Sequence, residues 1–276
     1  MKKDTMTKAF LICSLALATL NSAATAQSID SIPDHNTFTI SSTYVNEPRV
    51  INVWVPPSYI TGSDSLPVLY MPDGGVNEDF PHIANTLAEL ISSKRIPPII
   101  LVGIDNTERR RDLTGPTNNA EDKEIAPVVG GSADFRDFIE KELVAEIDGI
   151  YRTTDKRGII GESLAGLFVV ETLLLRPELF DFYIAMDPSL WWNDMDMVKT
   201  APEYLAKFPA KPIRFWFAGS SVQEETPFIS NLSGALELTA PKTLVWQYSD
   251  EPNETHATIF RATKEKALVW VLGGEK

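Results

Sequence analysis

Cysteine is almost missing from this chain. The single one, Cys13, lies within the first 26 residues, so the remainder has no disulfide, no thiol nucleophile and no thiolate metal site. Long apolar runs are also missing. The longest candidate, Ala9 to Leu20, has 12 residues, too few to span a bilayer, which needs about 20. Basic residues are scarce against acidic ones, 25 to 38, and they form no broad patch. A surface of that sign repels nucleic acid and anionic membrane, which excludes both as partners. Histidine occurs three times, at His35, His82 and His256. No repeat of 20–50 residues is visible.

What is present at the N-terminus reads as an export signal. Lys2, Lys3 and Lys8 precede the apolar run, and Ala24-Thr25-Ala26 follows it as an Ala-x-Ala cleavage site. The expected product is a secreted or periplasmic protein starting near Gln27, with a net charge that goes from −13 to −15 on cleavage. Residues 27–276 are long enough for a single α/β domain with an ample core.

The mature chain opens with alternating apolar and polar residues over Phe38 to Val45 and Arg49 to Val55, the pattern of an antiparallel hairpin. From there apolar runs alternate with helical patterns. Strands are expected at 66–71, 99–104, 158–160, 182–186, 213–218 and 244–248, and helices at 81–90, 132–147, 164–175, 197–208, 227–238 and from about 255 to 272. This order predicts a mostly parallel central sheet with an antiparallel N-terminal hairpin and helices on both faces. No long helical insertion interrupts the alternation, so no large cap domain is expected. Such sheets bind ligands beyond the carboxyl ends of their strands. The polar stretch from Asp105 to Gly131 is long enough to suggest a functional loop.

Gly161-Glu162-Ser163-Leu164-Ala165 marks a break between an apolar run and a helix. A serine at such a hinge is held away from the backbone, where a base can take its proton and a carbonyl can approach. Small residues two before and two after let strand and helix cross closely; Gly161 meets this, and Ala165 stands where the pattern usually has glycine. The hinge aims the amide of Leu164 at the space before the hydroxyl, where an oxyanion would develop. Ser163, the Glu224/Glu225 pair and His256 each follow an expected strand, in the order serine, acid, histidine. Glu224 is the favoured acid; Glu225, Asp187 and Asp250 remain open, as does a serine-histidine dyad. An imidazole near neutrality can take the serine proton and return it to the leaving group, while a carboxylate fixes its tautomer.

The turn Pro72-Asp73-Gly74-Gly75 offers bare backbone to a ligand, with Gly75 as the second oxyanion amide and Gly74 beside it, or it is a plain tight turn. Trp191 and Trp192 read either as a pocket wall for an apolar or aromatic acyl group or as a core pair. Arg111, with Arg109 and Arg110, reads as a receiver of anionic substrate or as a solvated loop paired with acids. His82 follows the Asp73-Gly74-Gly75 turn and is a candidate lining residue.

At this point the chain resembles the putative-esterase family of α/β-hydrolases, which includes esterase D, feruloyl esterases and siderophore esterases of the enterobactin type. The matching stretches are Val68 to Gly75, Arg111-Asp112-Leu113-Thr114, Gly161 to Phe168, Asp187-Pro188-Ser189-Leu190-Trp191-Trp192 and Glu254 to Thr258. The resemblance implies a serine carboxylic-ester hydrolase, with Ser163 as nucleophile and His256 as base, closest to the periplasmic siderophore-esterase branch. It needs no cofactor and no metal, and its partner is a small-molecule ester. An acyltransferase of the same fold and a non-catalytic binding protein are the alternatives.

Overall fold

The computed structural model describes residues 30–125, 127–220 and 226–273. The export signal therefore lies outside the described residues. Eight strands, β1 (Asn36–Ser41), β2 (Pro48–Trp54), β3 (Leu66–Pro72), β4 (Ile100–Ile104), β5 (Thr153–Glu162), β6 (Phe182–Met186), β7 (Ile213–Ser220) and β8 (Leu244–Glu251), form one sheet in the order β1-β2-β4-β3-β5-β6-β7-β8. The hairpin β1–β2 is antiparallel, β2 joins β4 antiparallel, and every other pairing is parallel.

Between the strands run α1 (Pro57–Thr61), α2 (Phe80–Ser92), α3 (Arg109–Asp112), α4 (Ala120–Ile125), α5 (Ser132–Phe138), α6 (Val144–Ile150), α7 (Leu164–Leu175), α8 (Trp192–Leu205), α9 (Thr226–Thr239) and α10 (Ile259–Leu272). A short π segment, Ile139–Leu143, joins α5 to α6, so the helix expected over 132–147 continues to Ile150. The stretch 105–131 contains α3 and α4 and is not structureless.

The central strands are apolar on both sides because both sides are covered. Along β6, Tyr183 and Ala185 enter one core with α5, α7 and α9, while Phe182, Ile184 and Met186 enter the other with α2 and α10. The same division splits Phe215 and Phe217 from Trp216 and Ala218 on β7. Period-two side chains buried on both faces produce the continuous apolar runs of the sequence. Each large side chain taken fully out of water contributes roughly 1.5–3 kcal/mol. α7 is buried along nearly its whole length and shows no polar face, as befits a helix packed between the sheet and its neighbours.

Two close approaches fix glycine in the sheet. A Cβ on Gly158 would lie 2.0 Å from the ring of Phe182 on the adjacent strand, and one on Gly74 would lie 2.3 Å from the Gly103 Cα. Gly74 is thus demanded by backbone packing between the ends of β3 and β4, and its amide donates to the Ile104 carbonyl at 2.9 Å. The expectation that Gly74 faces a ligand gives way to this structural role.

Three of the eight non-glycine residues with positive φ among the described residues lie on the carboxyl rim of the sheet. Asp73 after β3, Ser163 after β5 and Asp187 after β6 have φ values of 57°, 59° and 42°. A non-glycine residue held there costs on the order of 1–3 kcal/mol, and such positions cluster at functional sites.

Candidate active site

Ser163 is the single residue between β5 and α7, with φ 59° and ψ −121°. The hinge is stitched from both sides: its amide donates to the Met186 carbonyl at 3.0 Å, and its carbonyl accepts from the amides of Leu167 at 2.9 Å and Ser189 at 3.1 Å. Gly161 is required here, since a Cβ would lie 2.6 Å from the Ala165 carbonyl carbon and 2.7 Å from its Cβ. The methyl of Ala165 therefore occupies the space that Gly161 leaves, which is why the departure at this position does not disturb the elbow. The first amides of α7, led by that of Leu164, have no carbonyl within the helix to accept them.

A chain of hydrogen bonds leads from the Ser163 hydroxyl to a buried carboxylate. Ser163 Oγ lies 3.1 Å from His256 Nε2, and His256 Nδ1 lies 2.8 Å from Asp187 Oδ2. The Asp187 side chain is fully buried, whereas that of His256 is 38 % exposed. Burial pushes the Asp187 carboxyl up, but the bonds from His256 and from the Ser220 amide and hydroxyl, at 2.7 Å each, outweigh it and hold the group below the usual aspartate range. An ionised carboxylate only accepts, so the proton of the ring sits on Nδ1 and Nε2 is left to accept from the serine. His256 itself stands in a turn closed by the Thr255 amide on Thr258 Oγ1 at 2.9 Å.

Glu224, the favoured acid, lies outside the described residues, as does Glu225. The ring nitrogen it was expected to hold is taken by Asp187, one of the acids left open, which enters one strand earlier because β6 is the immediate neighbour of β5. Asp250 stays on β8, in register with Gly219.

The opposite side of Ser163 is rich in carboxylates. Glu162 is held up to about 8, first by burial and then by the negative charge of Asp79, so the elbow carries a neutral acid at pH 7. At the turn after β3 the Gly75 amide donates to Glu78 Oε2 at 2.7 Å. Glu78 Oε1 accepts from Asn106, which also donates to Asp73, and Arg109 grips Asp73 with two bonds of 2.7 Å. Burial raises the Glu78 carboxyl above the ordinary glutamate value. The expected role of Gly75 is corrected accordingly: in this conformation its amide is engaged by Glu78 and is not free for an oxyanion.

The remaining candidates separate by burial. Trp192 is 5 % exposed and donates to the Gly115 carbonyl at 3.0 Å, so it belongs to the core. Trp191 is half-buried and, with Asn119, Asp122, Met195, Lys199 and Phe228, lines a cavity of about 430 Å³. His82 does not line the site. It is 2 % exposed, held by Asp79 at 3.0 Å and edge-on to Phe260, because α2 packs against α10 there. Arg111 is taken by Glu47 at 2.6 Å and Asp112 at 2.7 Å, which favours the paired-loop reading over substrate capture.

Three features were missed from sequence. Ser189 Oγ stands 3.3 Å from Ser163 Oγ, and Ser220 braces Asp187. Asn193, Asp194 and Met195 form a left-handed turn, at roughly 1–2 kcal/mol per residue. The start of α4 clamps it: Asp122 accepts from the Asn193 amide at 2.8 Å, and Asn119, just before that helix, donates to Asp194 at 3.0 Å. The strings Asp187-Pro188-Ser189 and Trp192-Asn193-Asp194 were the signals available. Among the described residues no group of three or more His, Cys, Asp or Glu is arranged to hold a metal ion, and no helix is long and apolar enough to cross a membrane.

A mostly parallel eight-stranded sheet with a strained serine at the β5–α7 hinge and a histidine and carboxylate in line on the same rim defines an α/β-hydrolase. Residues 42–246 match the family model described as putative esterase, and the chain belongs to that family and is a carboxylic ester hydrolase. The ferri-bacillibactin esterase BesA of Bacillus subtilis is 29% identical over 271 residues, covering 86% of this chain and 92% of that protein. An apo-salmochelin esterase of Escherichia coli O6:H1 is 26% identical over 249 residues, covering 83% of this chain and 77% of its own. The crystal structure of an IroE-like serine hydrolase from Shewanella oneidensis superposes with a TM-score of 0.79 at 26% identity, covering 87% of this chain and 80% of that one.

Proposed function

We propose that this protein is an exported serine esterase, a single domain of residues 27–276 after removal of residues 1–26, that opens a bulky ester of siderophore type through an acyl-enzyme. The observation that carries the reading is the unbroken line from Ser163 Oγ through His256 to Asp187 Oδ2, at 3.1 and 2.8 Å. Ser163 Oγ attacks the ester carbonyl carbon while its proton passes to His256 Nε2. Collapse of the tetrahedral adduct breaks the bond to the alcohol oxygen, which takes that proton and leaves. Water then repeats the sequence on the acyl-enzyme: it gives a proton to His256, adds to the acyl carbon, and the C–Oγ bond breaks as Oγ is reprotonated.

Asp187 holds the ring in the tautomer this needs and steadies the imidazolium. The amide of Leu164, at the positive end of α7, faces the developing oxyanion. The siderophore assignment is supported by the names of the relatives. The test is incubation of the purified protein with ferri-bacillibactin and with apo-salmochelin, with products read by mass spectrometry. Ester cleavage by the wild type and none by Ser163→Ala is the expected result, and equal rates for the two remove the reading. Export is tested by N-terminal sequencing of the native protein, which should begin near Gln27 rather than at Met1.

A further inference from the structure

Proton counting around the nucleophile leaves one hydroxyl with a single place to donate. Asp187 accepts from His256 Nδ1, so the ring presents a bare Nε2, and the one proton of Ser163 is committed to it. Ser163 Oγ then has nothing left to give to Ser189 Oγ, 3.3 Å away. The contact can exist as a hydrogen bond only with Ser189 as donor. Ser189 is 2 % exposed, and its hydroxyl has no other hydrogen-bond partner among the described residues. Water is kept out, and the O–H is aimed at the reacting oxygen.

We propose that Ser189 is a catalytic residue that donates to the nucleophilic oxygen of Ser163 throughout the cycle. This rests on the esterase reading of Ser163. The donor has two effects. In the resting enzyme it holds Oγ on the side of His256, since the Ser189 amide also binds the Ser163 carbonyl at 3.1 Å and Pro188 stiffens the turn between them and Asp187. In the transition states that make and break the bond between Oγ and the acyl carbon, Oγ bears partial negative charge, and the donor stabilises it without transferring its own proton. The resting separation is long for a hydroxyl pair and shortens as the acceptor gains charge. Nothing in this role requires contact with the rest of the substrate.

The experiment compares Ser189→Ala, Ser189→Cys and Ser189→Thr with wild type, using p-nitrophenyl butyrate turnover and inactivation by an organophosphonate. Loss of one neutral hydrogen bond to the reacting oxygen is expected to lower kcat and the inactivation rate constant each about tenfold in Ser189→Ala, with KM within about twofold. Ser189→Cys fills the space with a weak donor and should resemble Ser189→Ala, whereas Ser189→Thr keeps the hydroxyl and should retain most of the rate. If Ser189→Cys is as active as wild type, the side chain only fills space and the proposal is overturned. Full activity of Ser189→Ala overturns it equally. Should Ser189→Ala fail to fold, the Cys and Thr variants alone decide. A wild type no faster than Ser163→Ala would fail the esterase reading itself, a different result from a normal wild type with an indifferent Ser189.

Discussion

Asp187 and Ser189 sit two residues apart on one turn and hold opposite ends of a single relay, Asp187 at 2.8 Å from His256 Nδ1 and Ser189 at 3.3 Å from Ser163 Oγ. One three-residue segment after β6 thus sets both the orientation of the base and the position of the nucleophile.

The first expectation concerns the acid. Asp187→Asn should lower kcat by on the order of 10⁴-fold, because an amide can donate to Nδ1 and reverse the tautomer. Glu224→Gln should cost far less than Asp187→Asn, since the Nδ1 of His256 is held by Asp187 at 2.8 Å. Steady-state kinetics on the two variants in parallel read this directly. In wild type the carboxyl of Asp187 is depressed, so its contribution is present above the ordinary aspartate pKa and is lost only as pH falls through the lower folded value.

A second expectation concerns pH and stability. Glu162 is raised to about 8, so the folded protein keeps a proton that the unfolded chain releases at ordinary glutamate values. Its contribution to stability is fully present below the unfolded pKa and is lost as pH rises through the folded pKa near 8. Glu162→Gln has no proton to lose. Its stability relative to wild type, from urea unfolding, should rise by roughly 3–4 kcal/mol between about pH 5 and about pH 8.

Glycine substitutions should split in sign. A Cβ on Gly74 meets main-chain atoms of Gly103 and Ile104 at 2.3 Å, so Gly74→Ala should destabilise by about 3 kcal/mol or more. Gly234 lies inside α9 with nothing within 4 Å of its would-be Cβ. Gly234→Ala should therefore stabilise by about 0.5–1 kcal/mol. Thermal melts of the pair check both directions at once.

Trp191 offers a test of the pocket. Replacement by Ala should raise KM for a bulky aromatic ester about tenfold while changing the kinetics of a p-nitrophenyl acetate by less than about threefold. Trp192→Ala, in contrast, removes a core side chain and its bond to Gly115, and should lower the melting temperature.

Much of this was legible in the order of residues. The runs 164–175 and 182–186 coincide with α7 and β6; continuous burial erases the period of both, and length separates them, 12 residues stopped before Pro177 against 5. Ser163 and His256 were legible for a different reason: each stands at the exit of a strand, and strand exits share a rim. The acid was not, because several carboxylates follow strands and only the pairing of β6 beside β5 brings Asp187 under the ring. The engagement of Gly75 by Glu78 was equally hidden, since a side chain three residues on turning back to an amide leaves no periodic trace. Nor does a left-handed turn at Asn193–Met195 announce itself without the clamp that holds it.

The positive φ of Ser163 sets working against resting in this molecule. Glycine adopts that angle freely, and the serine is tolerated there only because the surrounding sheet and helix enforce it. The idle version of the enzyme, Ser163→Gly, is thus expected to be the sturdier object in a calorimeter, and selection for heat tolerance alone would drift toward a protein that has given up its chemistry.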